Sequence, residues 1–268
     1  MLLLGVDFTC APTRRKPITV ARGRRIGDVL RLDGVDALES MGAFESLLAA
    51  PGPWLGAFDF PFGLPREFIE SMALGADIDA VVGALRARCV TRMGFRRMVD
   101  EWGNGRPHGQ RLIHRRTDRA TPGISSTSPL QTRYVPVGFM FFEGLHRLIT
   151  AGVRIPGMRD GDALRTALEG YPGLLAYELI NRRSYKNKAS ADRLIARKDI
   201  VGALERGATR LDLRLQLSPA LHERLVEDAT GDSLDAVLCL VQAAWAAAQP
   251  GYGLPARVDP LEGWIVSA

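Results

Sequence analysis

The first sixty residues alternate between short apolar runs and polar turns, a pattern typical of strands. The run "LLLGV" at 2–6 is apolar throughout and predicts a strand covered on both faces. The segments "ITVAR" and "IGDVLRLDG" predict the next two strands of an antiparallel meander. The turn between the first two strands carries three cations, Arg14, Arg15 and Lys16, so the meander has a basic edge.

A helix and a fourth strand complete this region. Apolar residues at helical spacing predict a helix over 36–50, with Asp36 in a position to cap it. The run "WLGAFD" then predicts a strand that ends at Asp59. The order strand, strand, strand, helix, strand implies a mixed sheet whose first and fourth strands lie parallel and adjacent. Asp7 follows the first strand, so we expect the carboxylates of Asp7 and Asp59 to lie side by side.

A carboxylate at the end of a buried strand needs a compensating partner. Burial of such a group costs several kcal/mol unless something offsets it. Asp7 therefore meets a cation, or lies where the strand surfaces. Two structural alternatives stay open: a salt-bridged strand acid at Asp7, and an Asx-type turn at Asp59 before "FPFGLP".

The middle of the chain has a different character. Helical spacing appears at 66–74, 79–88 and 92–102, and the window Arg86–Arg119 holds ten arginines against three acids. We expect an arginine-rich helical and loop insertion at about 66–133 within a single domain spanning 1–268, because its apolar content is thin for a core of its own. The arginines either track a phosphate backbone or form an ordinary charged surface. The candidates for contact with nucleic acid are Arg111, Arg115 and Arg116 of this window, together with Arg14, Arg15 and Lys16 of the first turn.

The C-terminal half adds further acids to the pattern. A predicted strand ends at Glu169, and the segment 232–249 predicts a helix that is apolar nearly all round and packs against the sheet. Asp232 and Asp235 share one face of that helix because they are three residues apart. A structural alternative is that Asp232 caps the helix while Asp235 complements its dipole.

These carboxylates suit a divalent cation. Mg²⁺ and Mn²⁺ prefer oxygen ligands, and they are held by a few carboxylates with waters and substrate phosphate. Two such ions can activate a water and stabilise the leaving oxygen in phosphodiester cleavage. We therefore expect a site for Mg²⁺ or Mn²⁺, with two ions, at Asp7, Asp59, Asp232 and Asp235.

Five segments in order along the chain carry a resemblance to a known family. They are "GVDFTCAP", "DFPFGLP", "EGYP" followed by "SYK", "DSLDA", and "EGWI". With these the chain resembles the RNase H-like superfamily, and within it the predicted nuclease family catalogued as domain of unknown function four-twenty-nine. The resemblance implies an α/β fold with a mixed five-stranded sheet flanked by helices, and places the insertion between the fourth and fifth strands.

The resemblance also implies roles for individual residues. It places metal ligands at Asp7 on the first strand and Asp59 on the fourth, with Asp232 and Asp235 on the last core helix in a RuvC-type arrangement. Glu169 matches the family's Glu-x-Tyr-Pro pattern, as a fifth ligand or as an acceptor behind the ligands. In "SYK", Lys186 neutralises phosphate or lowers the pKa of a nucleophilic water; the alternative is a solvated loop lysine.

Composition narrows the class of protein. A formal net charge of +5 and a pI of about 9.4 favour an anionic partner such as nucleic acid. Three widely spaced cysteines favour a reducing, cytoplasmic compartment, and no segment predicts a signal peptide or a membrane span. The function predicted is metal-dependent cleavage of nucleic acid. The alternatives are a non-catalytic nucleic-acid-binding or regulatory protein and an ATP-handling phosphotransferase. The oligomeric state is open, with a homodimer among the options.

Overall fold

The computed structural model describes residues 1–123 and 125–268, which form a mixed sheet with helices on both faces. The strands are β1 (Leu2–Asp7), β2 (Ile18–Ile26), β3 (Val29–Leu38), β4 (Trp54–Phe58), β5 (Val153–Arg154), β6 (Asp162–Glu169) and β7 (Arg214–Gln216). The helices are α1 (Met41–Ala49), α2 (Arg66–Ser71), α3 (Ile78–Cys89), α4 (Arg92–Asn104), α5 (Val137–Thr150), α6 (Pro172–Ile180), α7 (Ala191–Arg206), α8 (Pro219–Glu227) and α9 (Asp232–Ala246). Short 3-10 turns lie at His108–Gln110, Thr117–Arg119 and Pro250–Gly253.

The sheet has seven strands in the order β5-β6-β4-β1-β2-β3-β7. Strands β1, β2 and β3 form the expected antiparallel meander, and β4 lies parallel to β1, with Val6 opposite Phe58. The predicted α/β class with a mixed sheet is therefore confirmed. The five strands implied by the family resemblance are not confirmed, since the described part of the chain has seven. Two of the seven are the edge strands β5 and β7, which are only two and three residues long.

The alternation of side chains along the strands divides the core into two layers. Leu4, Val6 and Phe58 face the layer built by α1 to α5, which is rich in phenylalanine. Leu3 and Leu55 face the other layer, which contains α6 to α9. Helices α2 to α4 of the arginine-rich segment pack into the first layer and share its core with the sheet. No helix in the described part of the chain is long and apolar enough to cross a membrane.

The first helix begins later than the sequence pattern indicated. Strand β3 continues to Leu38, and Asp36 pairs with Val20 of β2 and accepts a hydrogen bond from Arg22 at 2.5 Å. The cap of α1 is Ser40, whose hydroxyl accepts from the backbone N–H of Ala43 at 3.1 Å. The expectation that Asp36 caps a helix was wrong, because cross-strand pairing keeps this segment extended.

Candidate metal centre

Asp7 and Asp59 meet at the carboxyl ends of two neighbouring parallel strands. Asp7 is the last residue of β1, and Asp59 follows β4 directly. The backbone N–H of Asp59 donates to the carbonyl of Val6 at 2.8 Å, which continues the strand pairing by one step. Both side chains are half-buried. The predicted adjacency of these two acids is confirmed.

Helix α9 brings a third acid to the same point. It crosses β1 at Gly5, where a Cβ would overlap the carbonyl oxygen of Ala236 and the backbone nitrogen of Leu240. Only glycine permits this close approach of helix to strand. Asp235, in the first turn of α9, is 1% exposed, and one carboxylate oxygen from each of Asp7, Asp59 and Asp235 lies within 4.8 Å of the others. We call these three residues the acid triad.

Asp232 lies at the start of α9 and outside the acid triad. The residue preceding the helix is Gly231, in a left-handed conformation, so Asp232 is the first helical residue and not its cap. The orphan N–H of Ser233 donates instead to Asp228 at 2.9 Å. The capping alternative for Asp232 was wrong. Its carboxylate still contributes to the field, since its charge raises the pKa of Asp7.

Two donors from the loop after α6 hold Asp235. Tyr185 donates its hydroxyl proton to Oδ1, and the Lys186 ammonium donates to Oδ2. The loop is itself fixed, because buried Arg197 donates to the Tyr185 carbonyl at 2.7 Å. Arg193 donates to the Lys186 carbonyl. The "SYK" motif pointed to Lys186, but Tyr185 was missed, although it is the adjacent residue.

The site is short of positive charge. Burial, and then the neighbouring charges of Asp235 and Asp59, raise the pKa of Asp7 well above its usual range. Burial likewise raises the pKa of Asp59 to about 7, against the opposing charge of Lys186. Burial disfavours the Lys186 ammonium, but Asp235 and Asp59 outweigh it, so the pKa of Lys186 is raised. Within residues 1–123 and 125–268, no donor hydrogen-bonds to the carboxylate of Asp7 or Asp59.

Glu169 lies nearby but is fully engaged elsewhere. It is buried at the end of β6, beside Phe58 of β4. Arg115 donates to its two oxygens at 2.6 and 2.8 Å, and the backbone N–H of Phe62 donates at 2.9 Å. The expectation of Glu169 as a fifth ligand needs correction, because its oxygens bind donors and do not join the acid triad.

Arg115 also departs from its expected place. It is 2% exposed and pairs with Asp118 at 2.8 Å as well as with Glu169. A guanidinium buried between two carboxylates offers nothing to a phosphate, so Arg115 is removed from the predicted nucleic-acid surface. Arg111 and Arg116 are exposed, as are Arg14, Arg15 and Lys16 on their turn.

Two clefts open beside the acid triad. One, of about 400 Å³, is lined by Arg182, Arg183 and Arg193, and the other, of about 170 Å³, is mainly apolar. Both include Asp59 and Lys186 in their walls. A further cavity of about 520 Å³, lined by Arg111 and residues of α4, contains none of the triad acids. The arginines after α6 were missed, because their count is unremarkable beside that of the insertion.

The comparisons with known proteins leave the family open. A search of protein-family models, of curated proteins and of solved structures finds no match to this chain. The resemblance to RNase H-like nucleases therefore stays a prediction from the sequence motifs.

Proposed function

We propose that this protein is a metal-dependent nuclease of RNase H-like fold that hydrolyses phosphodiester bonds in nucleic acid. The observation that carries the proposal is the convergence of three carboxylates, with the Lys186 ammonium paired to one of them. The resemblance implies acids on the first strand, the fourth strand and the last core helix. Asp7, Asp59 and Asp235 occupy those positions.

The donor set fits Mg²⁺ or Mn²⁺. All three groups that converge are carboxylates, and hard cations bind such oxygens. Cys239 is buried near them on α9, but burial and the neighbouring acids raise the pKa of its thiol, so it stays protonated and is a poor ligand. The triad has a formal charge of −3 and Lys186 contributes +1, so one divalent ion would neutralise the group. This favours a single ion over the two that the sequence suggested.

The protein's own residues would position the reaction. A bound divalent ion supplies Lewis-acid activation of water and stabilises charge on the phosphate. Asp7 and Asp59 offer carboxylates at the ends of two strands, and no described residue donates a hydrogen bond to either carboxylate. Tyr185 fixes the orientation of Asp235, and the Lys186 ammonium, which lines both clefts, faces the place where the anionic substrate would lie.

The proposal is tested by a cleavage assay. Labelled single- and double-stranded DNA and RNA are incubated with wild type, Asp7→Asn and Asp160→Asn, with Mn²⁺ or with EDTA. We expect cleavage by wild type and by Asp160→Asn, whose exposed side chain lies outside the site. EDTA should abolish it, and Asp7→Asn should lower it by about 10²–10³-fold, as for loss of a group that stabilises the transition state. Metal binding without cleavage of any substrate would favour the non-catalytic binder.

A further inference from the structure

A basic groove leads away from the acid triad along the loop between α6 and α7. The cleft of about 400 Å³ continues into a second cavity of about 630 Å³, and the two share Arg183, Ser184 and Arg193. We define the basic groove as these two cavities. Its cations are Arg182, Arg183, Lys186, Lys188 and Arg193.

The charged residues that line the groove are basic, with two exceptions. Asp59 lies at the inner end of the groove and Asp192 at an outer position. Arg183 pairs with Asp199 at 2.6 Å on an exposed surface, where such a pair is weak and exchanges with solvent. The groove therefore presents positive charge to a polyanion and ends at Asp59 and Lys186.

Aromatic side chains accompany these cations. Tyr177 is 37% exposed, and the Arg182 guanidinium lies 5.9 Å from the centre of its ring. Tyr171 is half-buried and lines the clefts on both sides of Asp59. Basic side chains interleaved with aromatic rings are typical of surfaces that bind unpaired nucleotides, because bases stack on the rings while phosphates meet the cations.

We propose that the basic groove binds one unpaired strand of nucleic acid and guides its backbone to Asp59 and Lys186. The inference rests on the proposed function and adds the substrate class, a single strand. The shape of the clefts favours a single strand over a duplex. A duplex presents its phosphates on a convex cylinder, whereas Asp59 is half-buried between two concave clefts. A single strand can follow the concave path and expose one phosphodiester bond at that point.

The test compares two surfaces that lose equal charge. All proteins carry Asp7→Asn and are kept in EDTA, so that binding is measured without cleavage. The groove variant is Arg182→Ala, Arg183→Ala and Lys188→Ala together; the control is Arg24→Ala, Arg31→Ala and Arg206→Ala together, none of which lines the groove. All six side chains are exposed, so both variants should fold. Fluorescence anisotropy then follows binding of a labelled oligothymidylate of about 12 nucleotides, and of a duplex of equal length.

We expect the groove variant to lose at least about tenfold in affinity for the single strand. Its salt dependence between about 50 and 200 mM should fall by about 2 in slope, since each lost phosphate contact removes about 0.7 for single strands. The control should change by less than about threefold. Tyr177→Ala should lose about tenfold, and Tyr177→Phe, which keeps the ring, should bind like its parent.

Several results would contradict the proposal that the basic groove binds a single strand. These are equal losses in the groove and control variants, tighter binding of the duplex, or unchanged binding in the groove variant. If wild type still cleaves nucleic acid in the assay above, those results contradict only the proposed binding role of the groove. The proposed nuclease activity would then still stand. Absence of both binding and cleavage for every nucleic acid would overturn the groove and the proposed function together. If the triple variant proves unstable, the single variant Lys188→Glu tests the same expectation, namely weaker binding of the single strand.

Discussion

Two clusters of buried charge lie side by side at the carboxyl ends of β1, β4 and β6, and they are built in opposite ways. One is the acid triad, Asp7, Asp59 and Asp235. The other, which we call the arginine cluster, consists of Arg115, Asp118 and Glu169. The two clusters adjoin through the pairing of β4 with β6, in which Phe58, the residue before Asp59, lies opposite Glu169.

The charged groups of the arginine cluster have their hydrogen-bond partners within the protein. The Arg115 guanidinium donates to both carboxylates, the Ser126 hydroxyl donates to Asp118 at 2.7 Å, and Phe62 donates to Glu169 at 2.9 Å. Such a network is costly to break but holds nothing open for a ligand. It ties the segment after α4 to the sheet, so its role is structural.

In the acid triad the donors are unevenly distributed. Lys186 and Tyr185 both serve Asp235, while Asp7 and Asp59 keep carboxylates with raised pKa values. Groups perturbed in this way, beside a cleft, are typical of functional sites. The contrast shows that the count of compensating donors, and not burial or charge itself, distinguishes a candidate ligand site from a structural ion pair.

The largest effect is expected in the arginine cluster. Arg115→Met leaves two buried carboxylates without their cation and should lower the free energy of unfolding by about 3–5 kcal/mol. Arg116→Met, on an exposed neighbour, should change it by less than about 0.5 kcal/mol. Urea unfolding measures both. A loss below about 1 kcal/mol for Arg115→Met would mean that water enters the cluster and replaces the guanidinium.

The second effect distinguishes the clusters by their response to metal. At a Mn²⁺ concentration about 100 times Kd, an ion that binds only the native protein stabilises it by about 2.7 kcal/mol. Thermal melts should show this for wild type, and much less for Asp7→Asn. Asp118→Asn should lower the melting temperature yet keep the response to Mn²⁺. An equal response in Asp7→Asn would place the ion elsewhere.

The third effect is a dependence of stability on pH. The pKa of Asp59 is about 7 in the folded protein against an ordinary value of 3.8, so the native state holds a proton that the unfolded state has released. The metal-free protein should therefore lose stability as pH rises from about 4 to about 7, by about 2 kcal/mol between pH 5 and 7. Asp59→Asn should flatten that part of the profile. Burial also raises the pKa values of Asp7, Asp232 and Glu169, which contribute in the same direction, so the difference between wild type and variant is the quantity to measure.

The smallest expected effect concerns the stability of the metal-free protein at about pH 8. Asp7→Asn removes a charge that is both buried and repelled by its neighbours. We expect a gain of about 1 kcal/mol in the free energy of unfolding, the usual size of a single-site effect on stability. The same substitution at Asp118 should cause a loss, since it breaks a pair with Arg115. A destabilised Asp7→Asn protein would indicate an ordinary structural aspartate.

Local patterns in the sequence were sufficient to predict the position of two acids of the triad. Apolar runs and their order predicted that β1 and β4 are neighbours, and so that Asp7 and Asp59 meet. The roles of Asp232 and Asp235 could not be separated, because a spacing of three residues gives a shared face but not the rotation of the helix about its axis. That rotation depends on how α9 packs against Gly5, which is a contact between distant parts of the chain.

Burial was harder to predict than position. Arg115 and Arg116 are consecutive in an arginine-rich stretch, yet one is enclosed and the other exposed. The partner that encloses Arg115 is Glu169, 54 residues later, and no local pattern reveals it. In the same way, the arginines after α6 line a cleft beside the site, although the insertion has many more.

The glycine in β1 has a consequence for the ion selectivity of the proposed metal site. Because the backbone of α9 rests directly on Gly5, the spacing between the strand and Asp235 is set by main-chain atoms and has no side chain to yield. Mg²⁺ binds oxygen at about 2.0–2.1 Å and Ca²⁺ at about 2.3–2.6 Å, so a rigid spacing discriminates by ionic radius. At the proposed metal site, the close contact between helix and strand at Gly5 would therefore favour Mg²⁺ over Ca²⁺.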